Sequence, residues 1–308
     1  MPARILCLVT PVLISTLLAP VVVSQDYPAQ QVHRDGFEPV DDETYSVIKH
    51  FYDYDRSYAL DPAVVEMESD SAYSYEKVAI TASNDERIPI DIYFPVAEDR
   101  QPLVLLLHGL GNSKERWQRS DRLSLTSDLL RSGHVVAAID LQYHGERSSR
   151  NDFQNPVFLT FGDSLFVRSR NMLIQSTIDV IRTVDYLMGR DDVESDRLGL
   201  VGYSMGAMVA SIASSLDVRI RATVLCAIPT TNQPIMIDPF NFAGRTAART
   251  IVLSGRSDWV SSPADLHRLV DTLPDGSRLR LYDSGHSLPS EFTDDAFIWI
   301  DTVLREIR

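Results

Sequence analysis

The sequence is poor in the features that mark several large classes of protein. Its 308 residues include only two cysteines, which excludes a framework of several disulfides. The 14 glycines and 16 prolines follow no period, which excludes collagen-like and low-complexity chains. Only one long apolar run is present, at residues 5–23, so a polytopic membrane protein is excluded. The composition, with 44% hydrophobic residues, is typical of a globular protein, and the chain is long enough to bury a sizeable core.

Positive charge is also scarce. The chain has 43 acidic residues against 29 lysines and arginines, a formal net charge of −14, and no dense basic segment. Proteins that bind nucleic acids need a basic face that displaces phosphate counterions. We therefore expect neither a nucleic-acid partner nor electrostatic attraction to anionic membranes.

The first 24 residues predict an export signal. Arg4 precedes the uncharged segment 5–23, and small residues precede a cleavage point between Ser24 and Gln25. The sequence therefore predicts a periplasmic or secreted protein, with an uncleaved membrane anchor at 5–23 as the alternative. Cleavage leaves Cys226 as the only cysteine, and its apolar neighbours predict a buried side chain rather than a reactive thiol.

Residues 25–74 form an acidic leader. They contain twelve acidic and three basic residues, a net charge of −9. Because their aromatic residues follow no sustained period, two interpretations stay open: an arm that wraps the following domain, or a solvated acidic segment. We favour a chain that becomes ordered from about Tyr45 onward.

From residue 75 to residue 308, short apolar runs alternate with helical patterns. Two alternating segments, 76–82 and 89–94, are typical of strands. Six mostly apolar runs are typical of parallel strands buried on both faces: 103–107, 135–139, 198–201, 223–228, 251–253 and 279–282. Helical spacing occurs at 116–132, 169–188, 207–215, 263–272 and 293–307. The pattern predicts an α/β domain with a mostly parallel central sheet flanked by helices, which binds ligands beyond the carboxyl ends of its strands.

The segment 202–206 carries the strongest chemical signal. Its sequence, Gly-Tyr-Ser-Met-Gly, fits the G-x-S-x-G motif and lies between a predicted strand and a predicted helix. In that setting Ser204 occupies a strained turn, and glycines are needed on both sides because neighbouring backbone leaves no room for side chains. The motif predicts that Ser204 is a nucleophile.

A serine nucleophile requires a histidine base. His286 follows the last predicted strand and is the preferred base, whereas His144, which follows the strand at 135–139, is its rival. His108 begins a glycine-containing loop and is interpreted as a structural hydrogen-bonding residue. The other four histidines are interpreted as surface or packing residues: His33, His50, His134 and His267.

The base in turn requires an acid that orients it. Asp258 follows the strand at 251–253, so the chain order becomes Ser204, Asp258, His286. Asp283 and Asp238 are weaker candidates. The backbone N–H groups of Leu110 and Met205 are predicted to stabilise the oxyanion of a tetrahedral intermediate. This chemistry needs no cofactor and no metal ion, and the sequence has no Cys/His cluster that predicts one.

With these motifs, the region 75–308 resembles the α/β-hydrolase-fold serine esterases. Two segments, 108–115 (His-Gly-Leu-Gly-Asn-Ser-Lys-Glu) and 140–147, are similar to the dienelactone-hydrolase-like and acetyl-ester-hydrolase-like branches. The resemblance implies a Ser204 nucleophile, a His286 base and an Asp258 acid. Dienelactone hydrolases proper use a cysteine nucleophile, so Ser204 does not imply lactone specificity.

The predicted function is the hydrolysis of carboxylic esters. The segment 229–249 between two strands is too short for a substantial lid, which favours small, short-acyl, soluble esters. A second excursion, 148–168, contains four phenylalanines that either line an acyl pocket or cap the core: Phe153, Phe158, Phe161 and Phe166. The alternatives are a peptidase or amidase resembling the prolyl oligopeptidases, and a non-catalytic binding protein on the same fold.

Overall fold

A nine-stranded sheet forms the centre of the unit that the structure describes. The computed structural model describes residues 38–307, apart from 70, 98, 120–121, 158–165 and 231–234. Along the sheet the strand order is β1-β2-β3-β5-β4-β6-β7-β8-β9. The strands are β1 (Ala63–Ser69), β2 (Tyr73–Thr81), β3 (Arg87–Pro95), β4 (Gln101–Leu107), β5 (Val135–Ile139), β6 (Val193–Tyr203), β7 (Ile220–Cys226), β8 (Arg249–Gly255) and β9 (Arg278–Tyr282).

The sheet is antiparallel at one end and parallel from its middle to the other end. Strands β1, β2 and β3 pair antiparallel, and β3 joins β5 in the same way. The pairs β5–β4, β4–β6, β6–β7, β7–β8 and β8–β9 are all parallel. The carboxyl ends of six strands therefore meet at one edge, and the predicted fold class is confirmed.

Seven α-helices lie within the described residues. They are α1 (Asp42–Lys49), α2 (Leu123–Arg131), α3 (Phe166–Met188), α4 (Met205–Leu216), α5 (Phe240–Ala243), α6 (Pro263–Thr272) and α7 (Phe292–Glu306). None of the described helices is both long and apolar enough to cross a bilayer. The predicted signal segment, 1–24, lies outside the described residues.

The core lies on both faces of the sheet, as strands buried on two sides require. Along β4, Leu103, Leu105 and Leu107 face a layer that contains α3 and α4. The intervening Val104 and Leu106 face a layer that contains α2 and α7. Cys226 is fully buried in this second layer, so the predicted burial is confirmed.

The described part of the acidic leader packs against the rest of the domain. Helix α1 contributes Ile48 to a small cluster with Ile178 of α3 and Phe242 of α5. Strand β1 pairs with β2 along its length, apart from an irregularity at Val65, although it lies within the segment that sequence analysis separated from the domain. The sequence pattern missed β1 because only the four residues 65–68 alternate between apolar and polar, and all residues of the strand are exposed.

The helix predicted at 116–132 is two shorter elements. A 3-10 helix at Lys114–Gln118 ends where Arg119 adopts an extended backbone (φ −101°, ψ 155°), and α2 begins at Leu123. Between them Arg122 places its guanidinium 3.8 Å from the centre of the Tyr203 ring. A continuous helix is therefore broken by long-range packing that the local pattern does not contain.

Candidate active site

Ser204 lies in the tight turn between β6 and α4. Its backbone is left-handed, with φ 54° and ψ −115°. A Cβ on Gly202 would lie 2.2 Å from the Gly206 carbonyl oxygen, and one on Gly206 would lie 2.4 Å from the Leu107 carbonyl oxygen. Both flanking positions therefore accept only glycine, as the motif predicts. The turn lies at the carboxyl end of β6, the sheet edge at which α/β proteins bind ligands.

His286 and Asp258 come to Ser204 from two other strand ends. The loop after β9 places His286 Nε2 2.9 Å from Ser204 Oγ. The loop after β8 places the two carboxylate oxygens of Asp258 3.0 and 3.1 Å from His286 Nδ1. We call Ser204, His286 and Asp258 the candidate triad. The structure brings the three preferred residues together in one hydrogen-bonded relay.

Tyr203 connects the turn at Ser204 to the loop that carries His286. Its hydroxyl donates to the His286 carbonyl oxygen (2.7 Å) and accepts from the Leu288 N–H (3.0 Å). Asp258 is fixed in turn, because its Oδ1 accepts from the Val260 N–H at 3.0 Å. Hydrogen bonds therefore hold both the loop that carries His286 and the Asp258 carboxylate, which preserves the relay geometry.

This geometry permits general-base activation of a hydroxyl. His286 with its proton on Nδ1 donates to the Asp258 carboxylate, which leaves Nε2 free to accept the Ser204 proton. Asp258 is buried and accepts from both His286 and Val260, so the imidazolium that forms would face a fixed negative charge.

The glycine-containing loop at 108–112, here called the oxyanion loop, packs against Ser204. A Cβ on Gly109 would lie 3.4 Å from Ser204 Cβ. Met205 is the first residue of α4, so its N–H has no intrahelical acceptor. In the loop itself, the Gly111 N–H donates to His144 Nε2 at 3.0 Å, and the Asn112 N–H donates to the Gly109 carbonyl. The Leu110 N–H directly precedes these two committed N–H groups in the chain.

His144, the rival base, serves the oxyanion loop instead. Because Nε2 accepts from Gly111, its proton is on Nδ1, which donates to the Gln142 carbonyl at 2.8 Å. Burial and the neighbouring His108 lower the pKa of His144 to about 3. His108 is similar: Nε2 accepts from the Leu141 N–H at 3.1 Å, and burial lowers its pKa to about 4. Both rings are neutral supports for main-chain atoms.

The weaker acid candidates lie elsewhere. Asp283 is exposed, and Asp238 is buried with its Oδ1 accepting from the Phe240 N–H. Of the remaining histidines, His134 pairs with Asp301, His50 pairs with Asp53, and His267 is exposed. His33 lies outside the described residues, as do Phe158 and Phe161 of the predicted pocket-lining set.

Sequence analysis missed a buried lysine behind the oxyanion loop. The Lys114 ammonium lies 2.6 Å from Glu146, 3.2 Å from Glu115 and 3.5 Å from Asp140. Burial opposes its charge, but these carboxylates and Asp91 outweigh burial and raise the pKa of Lys114. Glu115, Asp140 and Glu146 are also the one described group of carboxylates close enough to hold a metal ion. The Lys114 ammonium lies among these three carboxylates and offsets their negative charge.

A second missed residue is Trp259, which follows Asp258 directly. Its side chain is 59% exposed, and its ring centre lies 5.8 Å from that of His286. An exposed aromatic ring beside the candidate triad offers an apolar surface to a bound molecule. Its position next to the acid was the only signal in the sequence.

Comparisons with known proteins agree with this architecture. A curated protein of Bacillus subtilis (strain 168), "Putative hydrolase YtaP", is 28% identical over 162 residues, which are 49% of this chain and 52% of that protein. The chain thus matches about half the length of this curated relative. Acetyl xylan esterase 1 from Thermoanaerobacterium sp. JW/SL YS485 superposes with a TM-score of 0.71 at 17% identity, covering 87% of this chain and 96% of that one.

A cold-adapted esterase from an Arctic intertidal metagenomic library superposes with a TM-score of 0.62 at 18% identity, covering 78% of this chain and 97% of the esterase. At such identities the likeness concerns the fold. The family model for the alpha/beta hydrolase family matches residues 104–303, which contain the candidate triad and the oxyanion loop. The chain therefore belongs to the alpha/beta hydrolase family, as the sequence predicted.

Proposed function

We propose that this chain is a carboxylic ester hydrolase that uses Ser204 as its nucleophile. The observation that carries the proposal is the relay from Ser204 Oγ through His286 to the Asp258 carboxylate, with links of 2.9 and 3.0 Å. Such a relay, at the strained turn that follows a strand, is how this fold activates a serine.

The proposed reaction has two halves. Ser204 Oγ attacks the ester carbonyl while His286 Nε2 takes its proton, and the Leu110 and Met205 N–H groups hold the oxyanion. The tetrahedral intermediate then collapses, and His286 gives the proton to the departing alcohol. Water attacks the acyl group on Ser204 in the same way, which releases the acid and restores the serine.

The proposed substrates are small, soluble esters with short acyl groups. Support comes from the connection between β7 and β8, whose described part contains only a 3-10 turn (Ile235–Ile237) and the four-residue helix α5. The name "esterase" of the two structural neighbours above is consistent with this class of bond.

The decisive measurement compares the wild-type protein with Ser204→Ala on p-nitrophenyl acetate and butyrate. Removal of a serine nucleophile is expected to lower kcat by at least about 1000-fold. Ser287→Ala, an exposed serine next to His286, is the matched control and should retain activity. Equal activity in wild type and Ser204→Ala would show that another group is the nucleophile. Faster cleavage of a matched p-nitroanilide would instead support the amidase alternative.

We also propose that residues 1–24 direct export and are removed, which yields a periplasmic or secreted enzyme. The proposal depends on the uncharged segment 5–23 and the small residues before Gln25. N-terminal sequencing of the protein recovered outside the cytoplasm should begin at Gln25. Recovery of the intact N-terminus with the membrane fraction would favour an uncleaved anchor.

A further inference from the structure

A cavity of about 340 Å³ opens beside the oxyanion loop. Gly111 and Asn112 of that loop form one side, and Gln154 and Asn155 form another. The two sides are in contact, because a Cβ on Gly111 would lie 3.2 Å from Asn155 Oδ1. The volume lies at the lower end of the range for small-molecule pockets, about 300–1000 Å³.

The cavity lies within reach of Ser204. Consecutive Cα atoms are separated by about 3.8 Å, so the Cα of Gly111 is at most about 7.6 Å from that of Gly109. Gly109 itself packs against Ser204, and the Leu110 N–H lies between the two glycines. A group bound in this cavity can therefore belong to the same small molecule as the ester attacked by Ser204.

The charge of the described lining is opposite to that of the protein. Arg116 and Arg119 both line the cavity, and none of the described lining residues is acidic. This contrasts with a chain whose net charge is −14. A third cation is close, because the Arg168 guanidinium lies 5.7 Å from the centre of the Tyr143 ring, which also lines the cavity.

The other lining groups are suited to polar ligands. Asn112, Ser148 and Gln154 offer both donors and acceptors of hydrogen bonds. Arginine matches a planar carboxylate with two parallel N–H donors, a geometry that lysine does not offer. The combination fits a molecule that carries an anionic group together with neutral polar groups.

We propose that this cavity binds a carboxylate on the substrate, so that the enzyme prefers esters that carry a second, ionised carboxyl group a few atoms from the scissile bond. This inference rests on the proposed ester hydrolysis and specifies its substrate class. Arg116 and Arg119 hold the carboxylate, while the oxyanion loop next to them receives the ester carbonyl. The arginines thus determine which ester is bound and take no part in bond cleavage.

Two pairs of esters with matched shapes test the preference on each side of the ester. Monomethyl glutarate is compared with methyl 5-methylhexanoate, and 3-acetoxypropanoate with 3-methylbutyl acetate, by proton release at pH 7.5. In at least one of the two pairs, kcat/KM should be about tenfold or more higher for the charged ester than for the neutral ester. The difference should come mainly from a lower KM for the charged ester. Added salt should reduce this preference because exposed charges are screened.

The variants are Arg119→Gln, the double variant Arg116→Gln/Arg119→Gln, and Arg100→Gln as an exposed arginine outside this cavity. The preference should decrease in the single variant and approach one in the double variant, whereas Arg100→Gln should retain it. All three should hydrolyse p-nitrophenyl acetate at the wild-type rate. No preference in the wild type, or a preference that survives the double substitution, would overturn the inference.

Calorimetry with glutarate separates this inference from the proposed function. If no ester is hydrolysed, p-nitrophenyl acetate included, ester hydrolysis fails as the function. The carboxylate site is then supported by saturable glutarate binding that the double variant loses, and overturned by the absence of binding to the wild type.

Discussion

His144 Nε2 accepts a hydrogen bond from the Gly111 N–H at 3.0 Å, and this bond orients the oxyanion loop. The opposite ring nitrogen donates to the Gln142 carbonyl, in the loop that follows β5. The loop after β4 is thus held by the loop after β5. In the proposed mechanism, the residue that sequence analysis treated as a rival base therefore positions the loop that carries the Leu110 N–H.

The first prediction concerns this bond. His144→Ala should lower kcat on p-nitrophenyl acetate by about 10- to 100-fold, less than the loss of an oxyanion donor itself, with little change in KM. His144→Gln should recover much of this loss, because its side-chain oxygen can accept from Gly111.

His134→Gln removes another buried histidine, one that pairs with Asp301, and serves as the control. It should leave kcat unchanged. If His144→Gln and His144→Ala lose kcat equally, the hydrogen bond that residue 144 accepts from the Gly111 N–H does not support catalysis.

The second prediction concerns stability in acid. Burial lowers the pKa of His108 from 6.5 to about 4, so between these values the unfolded chain binds more protons than the folded one. The free energy of unfolding should therefore decrease as the pH falls from 6.5 to 4. At about 1.4 kcal/mol per pKa unit, His108 accounts for a loss of about 3 kcal/mol.

Urea denaturation at pH 7 and pH 4.5 measures this loss. His108→Gln should lose less stability than the wild type over that interval, by about 2 kcal/mol. Burial raises the pKa of Asp140, so this carboxyl group adds stability as the pH falls and opposes the effect of His108. Comparing the two proteins cancels this contribution, because both contain Asp140. His267→Gln, which changes an exposed histidine, should behave like the wild type, and parallel curves for wild type and His108→Gln would refute the assignment.

The third prediction concerns the turn at Ser204. Gly206→Ala would place its Cβ 2.4 Å from the Leu107 carbonyl oxygen, so the turn must move away from β4. We expect hydrolysis to fall below detection and the melting temperature to decrease by several degrees, as for overpacking that costs about 1–3 kcal/mol.

Gly189→Ala is the matched control, since its Cβ would lie 3.5 Å from the nearest carbonyl oxygens. It should keep both activity and melting temperature. Full activity in Gly206→Ala would show that the turn at Ser204 can move away from β4 without loss of the active geometry.

Much of the fold could be predicted because its signals are local. The run at 135–139 and the helix at 263–272 were predicted with their observed bounds, since apolar period and a proline at the first helical turn mark them directly. Strand β1 and helix α1 were missed. Both are short elements within the acidic segment, and they are held in place by packing on other parts of the fold, β1 on β2 and α1 on the distant Phe242.

The sequence alone predicted the family, the Ser204 nucleophile and a preferred acid and base, because Ser204, Asp258 and His286 all lie shortly after predicted apolar strands. It did not determine which histidine meets Ser204, since His144 also follows a strand. The order of strands in the sheet decided this: β5 and β6 flank β4, so His144 supports the loop after β4. Tertiary structure likewise decided the surroundings of Lys114 and Arg119. Lys114 pairs with Glu146, and Arg119 lines a cavity together with residues from the segment 143–156, so both environments depend on distant segments of the chain.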